Sequence, residues 1–330
     1  MLTPPVCGPP KYSEIRINIS QAFNGIGTVV APVLGSYVFF AFDDQRALEN
    51  VQWVYLAISC FVFLLAFIFF MSRIPEITDA DMAFQASETH ANADDLPLRK
   101  QYRLFHAAFA QFCYTGAQVA IASYFINYAT ETRPATSSSL GSKLLAGAQG
   151  AFALGRFVGV AIMHYCRPRW VFGFYLTMCI VFIAPAITQR GNVGVSMLYI
   201  TLFFESICFP TIVALGMRGL GRHTKRGSGY IVGAVIGGAC VPPLTGAAAD
   251  HIGTGKAMVV PLCFFILAWS YAIAVNFVPW YRDCADAFTT ADVGLVPRSA
   301  DDEESTGASG GGVLEEKPAG ALHADGAKES

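Results

Sequence analysis

The stretch VQWVYLAISCFVFLLAFIFFMS, Val51 to Ser72, contains no charged residue and shows no polar stripe. A helix needs about 20 consecutive apolar residues to cross the hydrocarbon of a bilayer. A surface helix of a soluble protein would alternate an apolar face with a polar one at helical spacing. Working outward from this segment, seven more blocks read as spans: 17–42, 105–129, 140–165, 170–189, 194–217, 228–249 and 256–280. The chain is 54% hydrophobic and 14% charged, with its apolar residues in long blocks. The expected class is an all-α, polytopic membrane protein with eight transmembrane helices.

The loops between the blocks differ in basic residues. One alternate set holds Lys11, Arg16, Arg73, Arg99, Lys100, Arg103, Arg167, Arg169, Arg218, Arg222, Lys225, Arg226 and Arg282. The opposite set holds Arg46, Arg133, Lys143, Arg190 and Lys256. The excess marks the cytoplasmic side, so both termini are expected in the cytoplasm. The resulting organisation is a cytoplasmic segment 1–16, two spans in 17–72, a central cytoplasmic loop 73–104, a six-span region 105–282, and a tail 283–330. That tail is rich in Gly, Ala and acid, lacks large apolar residues and is expected to be disordered. The first block follows the turn-forming MLTPPVCGPPK and has no small-residue cleavage site, so it reads as a span, not a signal peptide. The nine cysteines are scattered without a CxxC pair, which gives neither a zinc site nor a disulfide framework.

Glu205 is the anomaly. It lies in SMLYITLFFESICFPTIVALGM, Ser196 to Met217, which has no other charge. An ionisable group at bilayer depth costs several kcal/mol unless it faces a cavity or a partner, and such residues mark ion or substrate paths. Glu205 and Phe209 stand four apart, with Pro210 just beyond. They read either as a proton-exchanging carboxylate beside an aromatic platform or as an acid bonded to a neighbouring helix. Arg156 is the other notable intramembrane charge. It either snorkels to the headgroups or caps a neighbouring helix at a gate, and the gate is the preferred reading.

Several amides fall on shared helix faces. Gln21 and Asn24 are three apart, and offer the donors and acceptors that a ring of sugar hydroxyls needs. Interhelical hydrogen bonding, worth about 1 kcal/mol, explains them equally well. Gln111, Tyr114 and Gln118 form a second polar stripe, with a pore-facing sugar surface preferred over helix packing. Gly27, Pro32 and Gly35 have the same spacing as Gly238, Pro243 and Gly246, which suggests two related halves with bent gating helices. Gly25-x-Gly27 has no preceding strand, so a dinucleotide loop is rejected.

At these residues the chain resembles the fucose permease branch of the major facilitator superfamily. The resembling text is RINISQAFNGIGTVVAPVLG, AQFCYTGAQVAIASYFINYATE, ALGRFVGVAIM and FPTIVALGMRGLGRHTKRGSGYIVGAVIGG. The resemblance implies the twelve-helix facilitator fold, here helices five to twelve, with helices one to four expected to be missing through truncation. It further implies hexose transport of the L-fucose, galactose or glucose class, coupled to protons by alternating access. Sugar contacts are then expected at Gln21, Asn24, Gln111, Tyr114, Gln118 and Phe209, with Glu205 for the proton or the substrate. Phe209 stands where the family can have a tyrosine, so a hydroxyl contact is lost there.

The partners expected are a small sugar, a proton and the bilayer, with no nucleic acid, no cofactor and no metal. A plasma-membrane location and a monomer, for a full-length chain, follow from the family. The competing readings are a non-transporting sugar sensor, signalling through 73–104 or the tail, and an inactive fragment. No paired catalytic carboxylates, metal-spaced histidines or nucleophile elbow support an enzyme.

Overall fold

A computed structural model describes residues 13–38, 44–72, 97–220 and 223–290. The expectations for the amino-terminal segment before residue 13, most of the central loop, and the tail beyond 290 lie outside the described residues. The described part is helical throughout, without strands.

The helices follow the hydropathy blocks closely. They are α1 (Ser13–Val38), α2 (Asp44–Met71), α3 (Tyr102–Thr132), α4 (Ser138–Tyr165), α5 (Pro168–Thr188), α6 (Gly191–Glu205) and α7 (Cys208–Met217). They continue as α8 (Thr224–Gly233), α9 (Gly237–Ile252), α10 (Thr254–Ala257), α11 (Val259–Phe277) and α12 (Pro279–Thr290). A 3-10 turn, Ala234–Ile236, joins α8 to α9. Among the described residues, five continuous stretches are long and apolar enough to cross a membrane: 138–165, 168–188, 191–217, 224–252 and 254–277. Helix α3 is also long, but its polar residues keep it out of that group.

Helix α3 is the centre of the bundle, packed against α9, α11, α7, α8 and α4. Small residues permit this. A Cβ on Gly116 would strike Val241 and the Gly237 carbonyl, and one on Gly237 would strike the Phe112 carbonyl. Close approach of this kind is how helices pack where hydrocarbon removes the hydrophobic drive. Helix α1 lies along α4 and touches α7. The two run antiparallel: Ser142 Oγ donates to the Pro32 carbonyl at 3.0 Å near one end, and Arg156 reaches Gln21 near the other.

One boundary is corrected. The tail expected to begin at 283 is helical through Thr290, and α12 is anchored to the bundle. Arg169, only 5% exposed, donates to Asp286 through Nε at 2.8 Å and Nη2 at 3.0 Å. Arg167 adds a bond to Asp286 at 3.0 Å. Arg218 donates to the Ala285 carbonyl, and Arg103 lies 4.8 Å from the Trp280 ring centre. These contacts satisfy charges that composition alone would assign to a solvated tail.

Candidate functional site

The 191–217 span is two helices because of Pro210. Proline has no N–H, so the Ser206 carbonyl loses its i+4 donor, and the chain turns at Ser206 and Ile207. Glu205 is the last residue before that turn. The helical hydrogen-bond ladder is therefore interrupted between Glu205 and Phe209, while the backbone at Ser206 and Ile207 stays in the right-handed helical region.

Glu205 is 1% exposed and its Oε1 meets no hydrogen-bond partner among the described residues. It shares its helix face with Leu198, Thr201 and Leu202, all buried. The Tyr114 hydroxyl donates to the Glu205 backbone carbonyl at 2.5 Å, tying α3 to the end of α6. The thiols of Cys179 and Cys208 point at the neighbouring carbonyls of Thr201 (3.9 Å) and Phe204 (3.6 Å). The Ser206 hydroxyl is also buried without a partner. A buried unpaired polar group costs roughly 1–3 kcal/mol. Two such groups, on successive residues, lie at the helix interruption among the described residues.

On α3, Gln111 and Tyr114 are fully buried. Gln111 Nε2 donates to Thr115 Oγ1 at 3.3 Å, and its Oε1 meets no partner. Gln118 is half-buried on the same stripe. Phe209, partly buried, packs against the core.

Gln21 and Asn24 meet α4 beside the Ser206–Ile207 turn, since Gly155 faces the Phe203 carbonyl and the Ser206 hydroxyl and the next residue, Arg156, reaches Gln21. Gln21 is half-buried and Asn24 exposed. Arg156 is 4% exposed and does not snorkel. Its Nη1 donates to the Gln21 backbone carbonyl and, at 3.3 Å, to Gln21 Oε1. Asn24 Nδ2 donates to the same Oε1 at 3.4 Å. Phe152 lies 4.7 Å from the guanidinium carbon. Gly25 permits the approach, its side facing Ala153 at van der Waals distance. The seam between α1 and α4 thus closes on an arginine, through a pairing no local spacing could reveal.

The glycine and proline sets occupy unlike settings. Pro32 lies inside α1, and Pro243 inside α9. Gly35 is within α1. Gly27 has open space around it, whereas Gly238 faces Val119 and Thr115, and Gly246 faces the Tyr124 hydroxyl. Among the described residues, no group of three or more His, Cys, Asp or Glu is placed to hold a metal ion.

The sequence reading missed α12's anchors. Arg167 and Arg169 counted there only as markers of membrane side, although Tyr281 and Ala285, four apart, gave a faint sign of a docked face. Tyr281 Oη lies 3.2 Å from His106 Nδ1, and Ser270 Oγ lies 3.0 Å from its Nε2.

Comparison with known proteins agrees with this architecture. The chain is 30% identical over 290 residues to the L-fucose-proton symporter of Escherichia coli (strain K12), covering 79% of this chain and 64% of that protein. It is 30% identical over 271 residues to a glucose/galactose transporter of Brucella abortus biovar 1 (strain 9-941), covering 80% and 64%. The chain therefore spans less than two thirds of the length of these curated relatives. The crystal structure of FucP, a transporter of this superfamily in the outward conformation, is similar with a TM-score of 0.64 at 29% identity, over 80% of this chain and 69% of that one. Residues 9–234 match the family described as the Major Facilitator Superfamily. On that match and those relatives, this multi-pass membrane chain belongs to the Major Facilitator Superfamily.

Proposed function

We propose that the chain takes part in proton-coupled transport of a hexose of the L-fucose, galactose or glucose class, by alternating access. The observation that carries this reading is Glu205: a buried carboxyl oxygen without a partner, at a helix interruption inside a membrane bundle. Such a group is expensive to keep and serves well as a site that takes and releases a proton. The relatives support the cargo, since they are a fucose–proton symporter and a glucose/galactose transporter.

In this reading Glu205 exchanges the proton and the Ser206–Ile207 turn gives its helix freedom to move. Gln118, Gln111, Tyr114 and Phe209 face or support the sugar. Gln21, Asn24 and Arg156 form the α1–α4 seam, where the amides alternate between holding the seam and meeting substrate hydroxyls. The prolines and glycines of α1 and α9 supply bend points. The protein acts as a monomer in the plasma membrane, with its basic loops and both termini in the cytoplasm, and as a transporter rather than an enzyme.

The test is uptake of labelled L-fucose and D-galactose into proteoliposomes under an inward proton gradient. Uptake should respond to the gradient, with the response lost in Glu205→Gln and the affinity weakened in Asn24→Ala. Wild-type rates in both variants, with unchanged pH dependence, would remove the site.

A further inference from the structure

Where α3 ends and α4 and α6 begin, the bundle holds a groove of about 370 Å³ lined by Arg133, Leu144, Asn192, Ser196, Tyr199 and Ile200, together with Val195. This lies within the size range of small-molecule sites, about 300–1,000 Å³. It is separate from the Glu205 cluster. Asn192, Ser196 and Tyr199 follow one face of α6 at helical spacing, whereas Glu205 lies on the opposite, buried face with Leu198 and Leu202.

The lining has three chemical parts. Arg133 caps the end of α3 through its backbone N–H, which donates to the Ala129 carbonyl at 3.2 Å, and its guanidinium makes no hydrogen bond or ion pair among the described residues. The side chains of Asn192 and Ser196 are exposed and equally uncommitted. Together they offer a planar fork of donors, an amide and a hydroxyl. The third part is the Tyr199 ring, which is held in place. Its hydroxyl donates to the Leu144 carbonyl at 2.5 Å, in space kept open by Gly147, and its ring lies 6.0 Å from that of Phe125. A fixed aromatic face beside uncommitted donors and acceptors suits a ring with one C–H side and an edge of hydroxyls.

We propose that this groove is a carbohydrate subsite at the non-basic end of the bundle, where Arg133, Asn192 and Ser196 hold hydroxyls of a monosaccharide against Tyr199. The proposal rests on the hexose reading above and adds a station that a sugar occupies separately from the Glu205 region. Arg133 and Asn192 lie at helix ends, and Asn192 and Ser196 are exposed, so the polar side of the groove is open without rearrangement of the bundle.

The experiment is a titration of the purified full chain in lipid nanodiscs with D-galactose and with L-fucose, followed by saturation-transfer NMR and calorimetry. Two saturable components are expected. Ser196→Phe, which fills the groove, removes one, and Arg133→Gln weakens the same one by about tenfold, as for a lost charged hydrogen bond. Gln118→Ala removes the other and leaves the groove component intact. Curves for Ser196→Phe and Arg133→Gln that superimpose on the wild type would overturn the subsite while leaving the hexose reading standing. A wild type with no saturable sugar binding would overturn both. A single component abolished by Ser196→Phe but not by Gln118→Ala would support the groove and contradict the interior site.

Discussion

Helices α2 and α3 are both long, and they treat their side chains in opposite ways. Beyond its polar first two turns helix α2 carries no charge, yet its side chains from Tyr55 to Met71 are all exposed, Phe70 by 80%. It forms no extended seam with any other described helix. Helix α3 carries Gln111, Thr115 and Gln118 with many alanines, and buries Leu104, Ala107, Tyr114, Ile121, Phe125 and Tyr128 completely. The more hydrophobic helix is thus the less buried one. In hydrocarbon, apolarity is the condition for being solvated, while small and polar residues mark the surfaces where helices meet.

The sharpest way to break that comparison is to enlarge the small residues of α3. Gly116→Val should cost about 3 kcal/mol or more, because its Cβ meets the Gly237 carbonyl as well as Val241, and overpacking against backbone cannot relax cheaply. Thermal unfolding of the detergent-solubilised chain reads it, and a wild-type midpoint would mean α3 and α9 do not touch there.

Next in size is the seam beside α1. Arg156→Ala takes the guanidinium from the Gln21 backbone carbonyl and leaves Gln21 Oε1 with Asn24 alone, and should cost about 1–3 kcal/mol. Cross-linking between cysteines placed at Ser142 and Pro32 should become less efficient in that variant. Efficiency equal to the parent would show that the seam holds without the arginine.

At the membrane edge, Asp286→Asn removes the charge that Arg167 and Arg169 share. Asp286 is 28% exposed, so solvent screens part of the pair and an effect of about 1–2 kcal/mol is expected. Limited proteolysis should cut within α12 sooner, while the bundle stays resistant. Cleavage at the parental rate would mean that Arg218 and Trp280 suffice as anchors.

The smallest effect belongs to α2. Phe63→Ala should change stability by no more than about 0.5 kcal/mol, since the side chain is 74% exposed. A large loss would show that protein covers that face.

Hydropathy made two of the spans legible to within two residues. The block read at 140–165 is α4 at Ser138–Tyr165, and the one at 170–189 is α5 at Pro168–Thr188. Glu205 stood out for the same reason, as a charge where none belongs. What the pattern could not supply was direction and partnership. Helical spacing groups Glu205 with Thr201 and Leu198, but only the packed bundle says that this face turns inward against Tyr114. Gln21 and Arg156 are far apart in sequence, so nothing local ties the amide to the guanidinium. Helix α12 was hidden because its polar composition merges into the acidic tail, and its anchors lie at the ends of helices distant in sequence. The groove at Arg133 escaped for a related reason: its residues come from three segments distant in sequence, α4, α6 and the end of α3.

Proton coupling in this proposal rests on the Glu205 carboxyl. The most direct measurement records the pH of weakly buffered medium around proteoliposomes as D-galactose or L-fucose is added. The wild type should alkalinise the medium as sugar and proton enter together, and Glu205→Gln should give no pH signal while still exchanging labelled sugar across the membrane. A full proton signal from Glu205→Gln would contradict the account and move the coupling to another group.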